Sequence, residues 1–408
     1  MRAATIIFII LLTISRAITL SANDMPSHGT ASLMLIVERE SGSVLVIESS
    51  THTLLGRVTG LGNLTHGTIK FSKDGRYAYV IGRDATVSKI DLLTLNVVKQ
   101  VKGGDDSVGG VMSQDGKYLA LSNYSPGEVR ILDSETLDTV KIIPAVMKIP
   151  LNPPFSNGEI TQSRVVGLVD APGNLLIFSL MDSDSIWVVD ANNKEFSVVR
   201  KFTDVGKTPY DALITPDGRY YLAGFLNSNE MGILDTWDMS EVRKISTINI
   251  KNSGEEGTTT VPLWKIPHLK GWAIAGGIAV LPAVQREVVL VYDTRDWHLL
   301  KEIPLVGTAL YTVASPDNRF VWVDIAGKNG DIIQVIDLKT LSVIKTFSPG
   351  KGATHPQFTS KGNAAYISLM DEDKVVVYNP VTFEKRKEFE AHSPSGIFST
   401  ERIHKFGM

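Results

Sequence analysis

The chain contains no cysteine. Disulfides, thiolate metal sites, Fe–S clusters and covalent attachment of a c-type haem are thereby excluded, and no lipoprotein anchor on an N-terminal cysteine is expected. Runs of like charge, low-complexity tracts and Pro-rich linkers are also missing. The net charge of −3 gives no basic face, so no nucleic-acid partner is expected. No segment keeps a helical period. There is no phosphate loop, dinucleotide fingerprint or Gly-x-Ser-x-Gly elbow, which leaves acyl-enzyme chemistry without support. The Gly-Gly pairs at 103–104, 109–110 and 276–277 read as turns rather than phosphate cradles. The eight histidines (His28, His52, His66, His268, His298, His355, His392, His404) show no zinc-motif spacing.

The one long apolar run, Ile6 to Ile14, is too short to span a membrane comfortably. It follows Met1-Arg2 and precedes the small-residue site Leu20-Ser21-Ala22, so residues 1–22 are expected to be a signal peptide. The mature chain would begin near Asn23 as a soluble periplasmic protein. Arg16 within this region leaves an uncleaved membrane anchor as the alternative.

What the chain has in abundance is glycine, 34 residues, and a repeat. Leu64 to Asp91 (LTHGTIKFSKDGRYAYVIGRDATVSKID) is its clearest copy. Thr68 to Phe71 alternates like a strand, and Asp74-Gly75 marks a hairpin turn. Tyr77 to Ile81 and Val87 to Ile90 are further strands, and Asp91 opens the next turn. The pattern returns at Val111–Asp133, Val165–Asp190, Ala212–Asp235, Trp264–Asp293, Thr312–Asp337 and Gln357–Asn379. A fourth strand follows several copies, as at Asn96–Val101, Thr139–Ile143 and Ser342–Phe347. A period of roughly forty to fifty residues is that of four-stranded propeller blades. Seven copies, plus a three-strand unit at Leu33–Arg57, predict an all-β, eight-bladed β-propeller. Ser395–Ile403 would supply the missing strand and close the ring, with seven blades as the alternative. The expected organisation is a single propeller domain over residues 23–408. Pro144–Ser163 reads as an excursion over one face.

Residues at the start of each unit converge on one mouth of such a ring. His66, Val108-Gly109-Gly110, Arg164, Tyr210-Asp211, His268, Tyr311 and His355 lie there or nearby. For each histidine the alternative is a loop cap on a backbone carbonyl. Gly67 would let the chain turn the His66 imidazole toward the channel. Arg83 and Arg164 can hold carboxylates, since guanidinium matches carboxylate geometry; the alternative is a salt bridge to a neighbouring blade. Tyr124, Tyr210, Phe225, Trp264, Trp272 and Trp322 are aromatics near the loops, as blade packing or as walls for a flat ligand.

LTHGTIKFSKDGRYAYVIGRDATVSKIDLLT resembles the first haem-pocket blade of cytochrome cd1-type nitrite reductases, and more closely the NirF-type haem d1 biosynthesis proteins. SVGGVMSQDGKYLALSNYSPGEVRILDSETL, SRVVGLVDAPG, GKTPYDALITPDGRYYLAGF, VPLWKIPHLKGWAIAGG and SPSGIF extend the resemblance over nearly the whole chain after the signal. The resemblance implies a non-covalently bound haem d1, or a late d1 precursor, on the propeller. It implies that His66 is the axial iron ligand, that Arg83 binds a ring carboxylate, and that Arg164 is a second such group. The reductases use two distal histidines. Tyr210, beside Asp211, stands where the first falls, and the second falls near Thr259. Tyr210, Asp211 and His268 are then the distal-side candidates for catalysis. With both distal acids replaced, nitrite reduction is not expected. The implied role is a late step of haem d1 maturation, supporting nitrite reductase in denitrification, as an oxidoreductase acting on a late precursor. A non-catalytic haem d1 carrier and a ligand-free interaction scaffold are the alternatives. Implied partners are the d1-type tetrapyrrole, nitrite reductase and other maturation proteins, with a homodimer left open.

Overall fold

The computed structural model describes residues 28–148, 160–248, 271–284 and 286–406. Each repeat unit folds as a four-stranded antiparallel sheet, and eight such sheets follow one another around the ring. Blade 1 comprises Leu33–Glu38, Ser43–Glu48 and Thr53–Val58, with Pro394–Ser399 as its innermost strand. The innermost strands of blades 2 to 8 are Thr68–Phe71, Asp106–Met112, Val165–Ala171, Pro209–Ile214, Ala273–Ala275, Thr308–Ala314 and Ala353–Phe358. The ring therefore closes as expected. Met34 pairs with Ser399 and Leu35 with Phe398. The closing strand ends at Ser399, earlier than the expected Ile403, because Thr400–Arg402 turns into a short 3-10 helix. Thr400 Oγ1 accepts the Leu33 N–H at 2.9 Å and ties that turn to blade 1.

Burial explains the strand patterns. In blade 2 the first three strands are almost wholly buried, while Asn96–Lys102 at the rim is mostly exposed. Inner strands covered by neighbouring blades on both faces read as near-continuous apolar runs; the rim strand does not. Blades pack face to face through large side chains. Tyr79 of blade 2 donates to Ser134 O of blade 3 at 2.7 Å. Trp322 of blade 7 meets Phe358 of blade 8 edge-on at 5.4 Å, a pair contributing about 1 kcal/mol beyond its buried area.

One face, here the lower, carries the turns between first and second strands. Ser72, Ser113, Thr215 and Ser315 each donate to the Asp two residues on, at 2.5 to 2.7 Å. Each also accepts the N–H five residues on, at 2.9 to 3.0 Å. The Asp or Asn that ends each repeat caps the neighbouring lower turn. Asp91, Asp133, Asp235, Asp293, Asp337 and Asn379 accept the N–H two residues later at 2.7 to 3.0 Å. Arg76–Asp91 and Arg219–Asp235 ion pairs join the two turn types.

The excursion after blade 3 contains a two-stranded ribbon, Val146–Lys148 with Ile160–Gln162. The expected signal peptide, Thr259, Trp264 and His268 lie outside the described residues. Among the described residues no helix is long and apolar enough to cross a membrane.

Candidate functional site

The upper face receives the first residues of the inner strands, and there the sheets depart from regular pairing. Ladders slip in the upper part of blades 1, 3, 4, 5, 7 and 8. A bulge adds a residue and re-aims its side chain. Tyr210 is such a residue: Pro209 pairs with Phe225 and Asp211 with Gly224. His355 and Pro356 are skipped between Thr354 and Gln357, and His355 takes the left-handed φ of 54°. Val108–Gly110, Tyr210, Asp211, Tyr311 and His355 thus lie within inner strands, not ahead of them as expected. The 109–110 glycines are strand residues rather than a turn; a Cβ on Gly110 would sit 2.3 Å from Ala120 O.

His66 is in the loop before blade 2, in a turn closed by Gly67 N–H to Leu64 O at 3.0 Å. Gly67 does not have a positive φ. It is required by space, since a Cβ there would meet Val37 at 3.0 Å and Leu64 at 3.3 Å. The imidazole is half-buried. Burial holds it below the usual histidine range; Arg83 and Arg39 push the same way, and Asp106 and the Thr65 backbone push against. His66 is therefore neutral at pH 7, with a nitrogen lone pair available.

Arg83 is fixed by its backbone. Its N–H donates to Asn63 O in the His66 loop at 2.8 Å, and its carbonyl accepts Ser107 N–H of blade 3 at 2.9 Å. Its Nε and Nη2 pair with Asp106 at 2.5 and 2.8 Å. The guanidinium lies 5.1 Å from the Tyr124 ring centre, with Arg164 at 5.6 Å from the same ring. Arg164 holds Asp182 through Nε and Nη2, at 3.0 and 2.6 Å. The salt bridge weighed against each arginine's functional reading is thus present, across blades for Arg83 and within blade 4 for Arg164. Nη1 of each has no hydrogen-bond partner among the described residues. Burial pushes the Tyr124 hydroxyl well above its usual range, followed by Tyr210, which shares a hydrogen bond with it, and Asp211; Arg164 opposes. Tyr210 is half-buried and Asp211 buried, with Asp211 Oδ1 accepting Ala212 N–H at 2.8 Å. The structure thus joins His66, Arg83, Tyr124, Arg164, Tyr210 and Asp211 in one arc over blades 2 to 5.

Two members were not singled out as site residues from the sequence. Arg39, just past Leu33–Glu38, acts electrostatically on both His66 and His355. Its one side-chain hydrogen bond among the described residues is Nη1 to Met370 Sδ at 3.4 Å, so it is a cation without a carboxylate partner there. Its position at the upper end of a blade-1 strand was the available signal. Asp324 is the second. Fully buried, it accepts the N–H groups of Tyr311 (2.7 Å) and His355 (3.0 Å) and the Thr354 hydroxyl (2.9 Å). Burial pushes its carboxyl up to about 6 against these bonds. His355 stands over it, ring edge against Tyr311 at 4.3 Å. Burial holds His355 down at about 3; the Ser395 backbone is the main opposing influence, and Arg39 and His66 add smaller downward pushes. Neither His355 ring nitrogen nor the Tyr311 hydroxyl makes a hydrogen bond of good geometry among the described residues.

Among the described residues the mouth offers the neutral His66 nitrogen, three arginines and a tyrosine-lined wall, with the neutral His355 buried behind them. Among the described residues no three metal-ligating side chains converge. It suits a ligand that brings its own metal and its own carboxylates.

Residues 28–403 match the Cytochrome D1 heme domain family. Protein NirF of Pseudomonas aeruginosa is 42% identical over 384 residues, covering 94% of this chain and 95% of the relative. Dihydro-heme d1 dehydrogenase of the same organism is 29% identical, covering 90% of this chain and 71% of the relative. The solved structure of dihydro-heme d1 dehydrogenase NirN in complex with DHE superposes with a TM-score of 0.77 at 27% identity, covering 93% of this chain and 78% of that one.

Proposed function

The chain belongs to the cytochrome d1 haem-domain family as a NirF-type member, and from that premise we propose that it binds a d1-type tetrapyrrole and acts late in haem d1 biosynthesis. The ligand is haem d1 or a late precursor, held without a covalent bond. The observation that carries this reading is the neutral, half-buried His66 set beside Arg83 and the carboxylate-free Arg39. A metal-bearing ring with peripheral carboxylates fits that donor set. When bound, the ring supplies the redox-active iron.

The chain's own residues have separable tasks. His66 offers its nitrogen to the iron, and burial keeps that nitrogen free of a competing proton. Arg39 and the free Nη1 of Arg83 and Arg164 hold carboxylates. Asp106 and Asp182 fix the two paired guanidinium planes, so their orientation is set before the ligand arrives. Tyr210 and Asp211 line the wall opposite as candidates for proton handling. A tyrosine hydroxyl is a weaker acid than the histidine it replaces for protonating nitrite, so a reductase role is not proposed.

The test is titration of the apo-protein with d1-type haem, followed by absorbance. Saturable binding with a shifted spectrum that is lost in His66→Ala supports the reading; an unchanged spectrum and affinity in that variant overturns the axial assignment. Turnover of a late precursor with an added electron acceptor then separates an oxidoreductase from a carrier. We further propose export to the periplasm with cleavage near Asn23, and transfer of the ligand toward nitrite reductase and other maturation proteins. Mass spectrometry of the periplasmic fraction checks the first; intact Met1 on membrane-bound protein would overturn it.

A further inference from the structure

The lower end of the propeller axis holds a second polar cavity, on the face opposite the mouth. Its volume is about 390 Å³, and it lies between the lower ends of blades 7 and 8 and the C-terminal turn. Arg402, Lys405, Glu401, Ser360 and Ser399 line its polar side; Pro216, Ile274 and Pro316 are among its apolar residues. Arg402 also lines a water-sized pocket of about 10 Å³ shared with Tyr311 and His355.

Most polar groups in this cavity are already engaged. Glu401 accepts the Ser360 hydroxyl at 2.8 Å, the Ser360 N–H, and the Ser399 hydroxyl at 3.3 Å. Ser315 is committed to Asp317 and to Phe320 N–H. Arg402 is the exception. Its side chain is partly buried, yet the guanidinium makes no hydrogen bond or ion pair to any described residue. Tyr311 and Glu401 act on it only at a distance, and burial lowers it to about 10. A partly buried guanidinium whose donors meet no protein acceptor is a ready partner for an anion. Arginine meets a carboxylate through two parallel N–H bonds. The apolar wall favours an organic anion over a bare inorganic one, and the volume admits a small molecule.

We propose that this cavity is a second ligand site, in which Arg402 binds a small organic carboxylate and Lys405 adds charge at the rim. The proposal uses none of His66, Arg83 or Arg39, although Arg402 also reaches the small pocket shared with Tyr311 and His355. Calorimetric titration of the full-length protein with citrate, malonate and inorganic phosphate at constant ionic strength tests it. Wild type is expected to bind a carboxylate saturably. Arg402→Met should weaken that binding by roughly tenfold or more, the scale of a lost charge-assisted pair. Lys405→Met should cost about two- to threefold, as an exposed charge does. Arg83→Ala, at the other end of the axis, should retain the Arg402-dependent binding. If Arg402→Met does not fold, Arg402→Lys keeps the charge without the fork and should still bind several times more weakly. No saturable binding, or binding unchanged in the Arg402 variants, overturns the site. Phosphate binding without carboxylate binding overturns the ligand class.

Discussion

At the lower end of the axis one turn is made again and again; at the upper end the blades differ from one another. Below, Ser72, Ser113, Thr215 and Ser315 repeat the same pair of bonds to an Asp and to a later N–H. The lower ends also repeat one slip of the outer strand pair and one left-handed turn residue, as at Leu95, Leu137, Trp297 and Leu341; above, the inner-strand ladders of six blades break at differing positions. The lower turns satisfy themselves locally, so they are interchangeable. Some upper residues depend on neighbours from another blade, as Arg83 does on Ser107 and Asp106. Regular ends hold the ring together, and irregular ends give it something to hold.

The largest expected break comes from removing what both ends share. Truncation before Pro394 deletes the inner strand of blade 1 and exposes the unpaired edge of Leu33–Glu38. An exposed apolar edge invites aggregation. The variant should lose its cooperative melt and its ligand binding, as read by calorimetry and gel filtration.

Next in size is His66→Ala. Loss of the axial nitrogen should weaken tetrapyrrole binding by about a hundredfold and alter its absorbance bands; hydrogen bonds and second-shell contacts alone are worth less. The melting temperature should stay near that of wild type, because His66 sits in a loop. Arg83→Ala and Arg39→Ala should each weaken binding by about tenfold with the bands nearly unchanged. These two also sharpen the electrostatics. Both arginines push the His66 pKa down, so the pH at which acid releases the ligand should rise in either variant.

Acid should then separate the ends. His355 is held at about 3 when folded, against about 6.5 when unfolded. The unfolded chain binds the extra proton between those values, so this group's contribution is whole above about 6.5 and is lost as pH falls toward 3. Asp324, raised to about 6, acts oppositely: it gains stability as pH falls from about 6 toward 3.8. Arg39, His66, Tyr311 and Arg402 face this pair. His355→Asn, which tolerates the left-handed backbone, should flatten the acid loss of melting temperature between pH 6.5 and about 4. A parallel acid profile in wild type and variant would mean His355 is not the source. The smallest effect belongs to the lower face. Asp91→Ala removes one turn cap and should cost about 1 kcal/mol in stability, with ligand affinity unchanged.

The same contrast explains what could be read in advance. The strands Thr68–Phe71, Tyr77–Ile81 and Ser342–Phe347 have the expected bounds, and the closing strand pairs where expected. Their signal is local: alternation, a Gly turn, a terminal Asp. His66 was legible because it lies in a long ordered string, although the reason given for Gly67 was conformational freedom and the structure shows close packing against Val37. Arg39 and Asp324 were not legible as site residues. Each acts on residues far away in sequence, and a bulge that turns a side chain inward leaves no periodic trace. Arg402 was missed for the same reason: its strand was expected to continue, and the chain turns instead.

The pairing of Leu33–Glu38 with Pro394–Ser399 also sets a timetable. The first blade is unfinished until nearly the whole polypeptide is available. Contacts so distant along the chain form late, since the entropy of closing the loop must be met first. During synthesis the early blades must therefore wait as an open stack, with one edge seeking a strand. Any ligand that needs the completed mouth can then be taken up only after assembly. Arg39, placed at the upper end of a strand that the C-terminus completes, takes up its post only when the last strand docks.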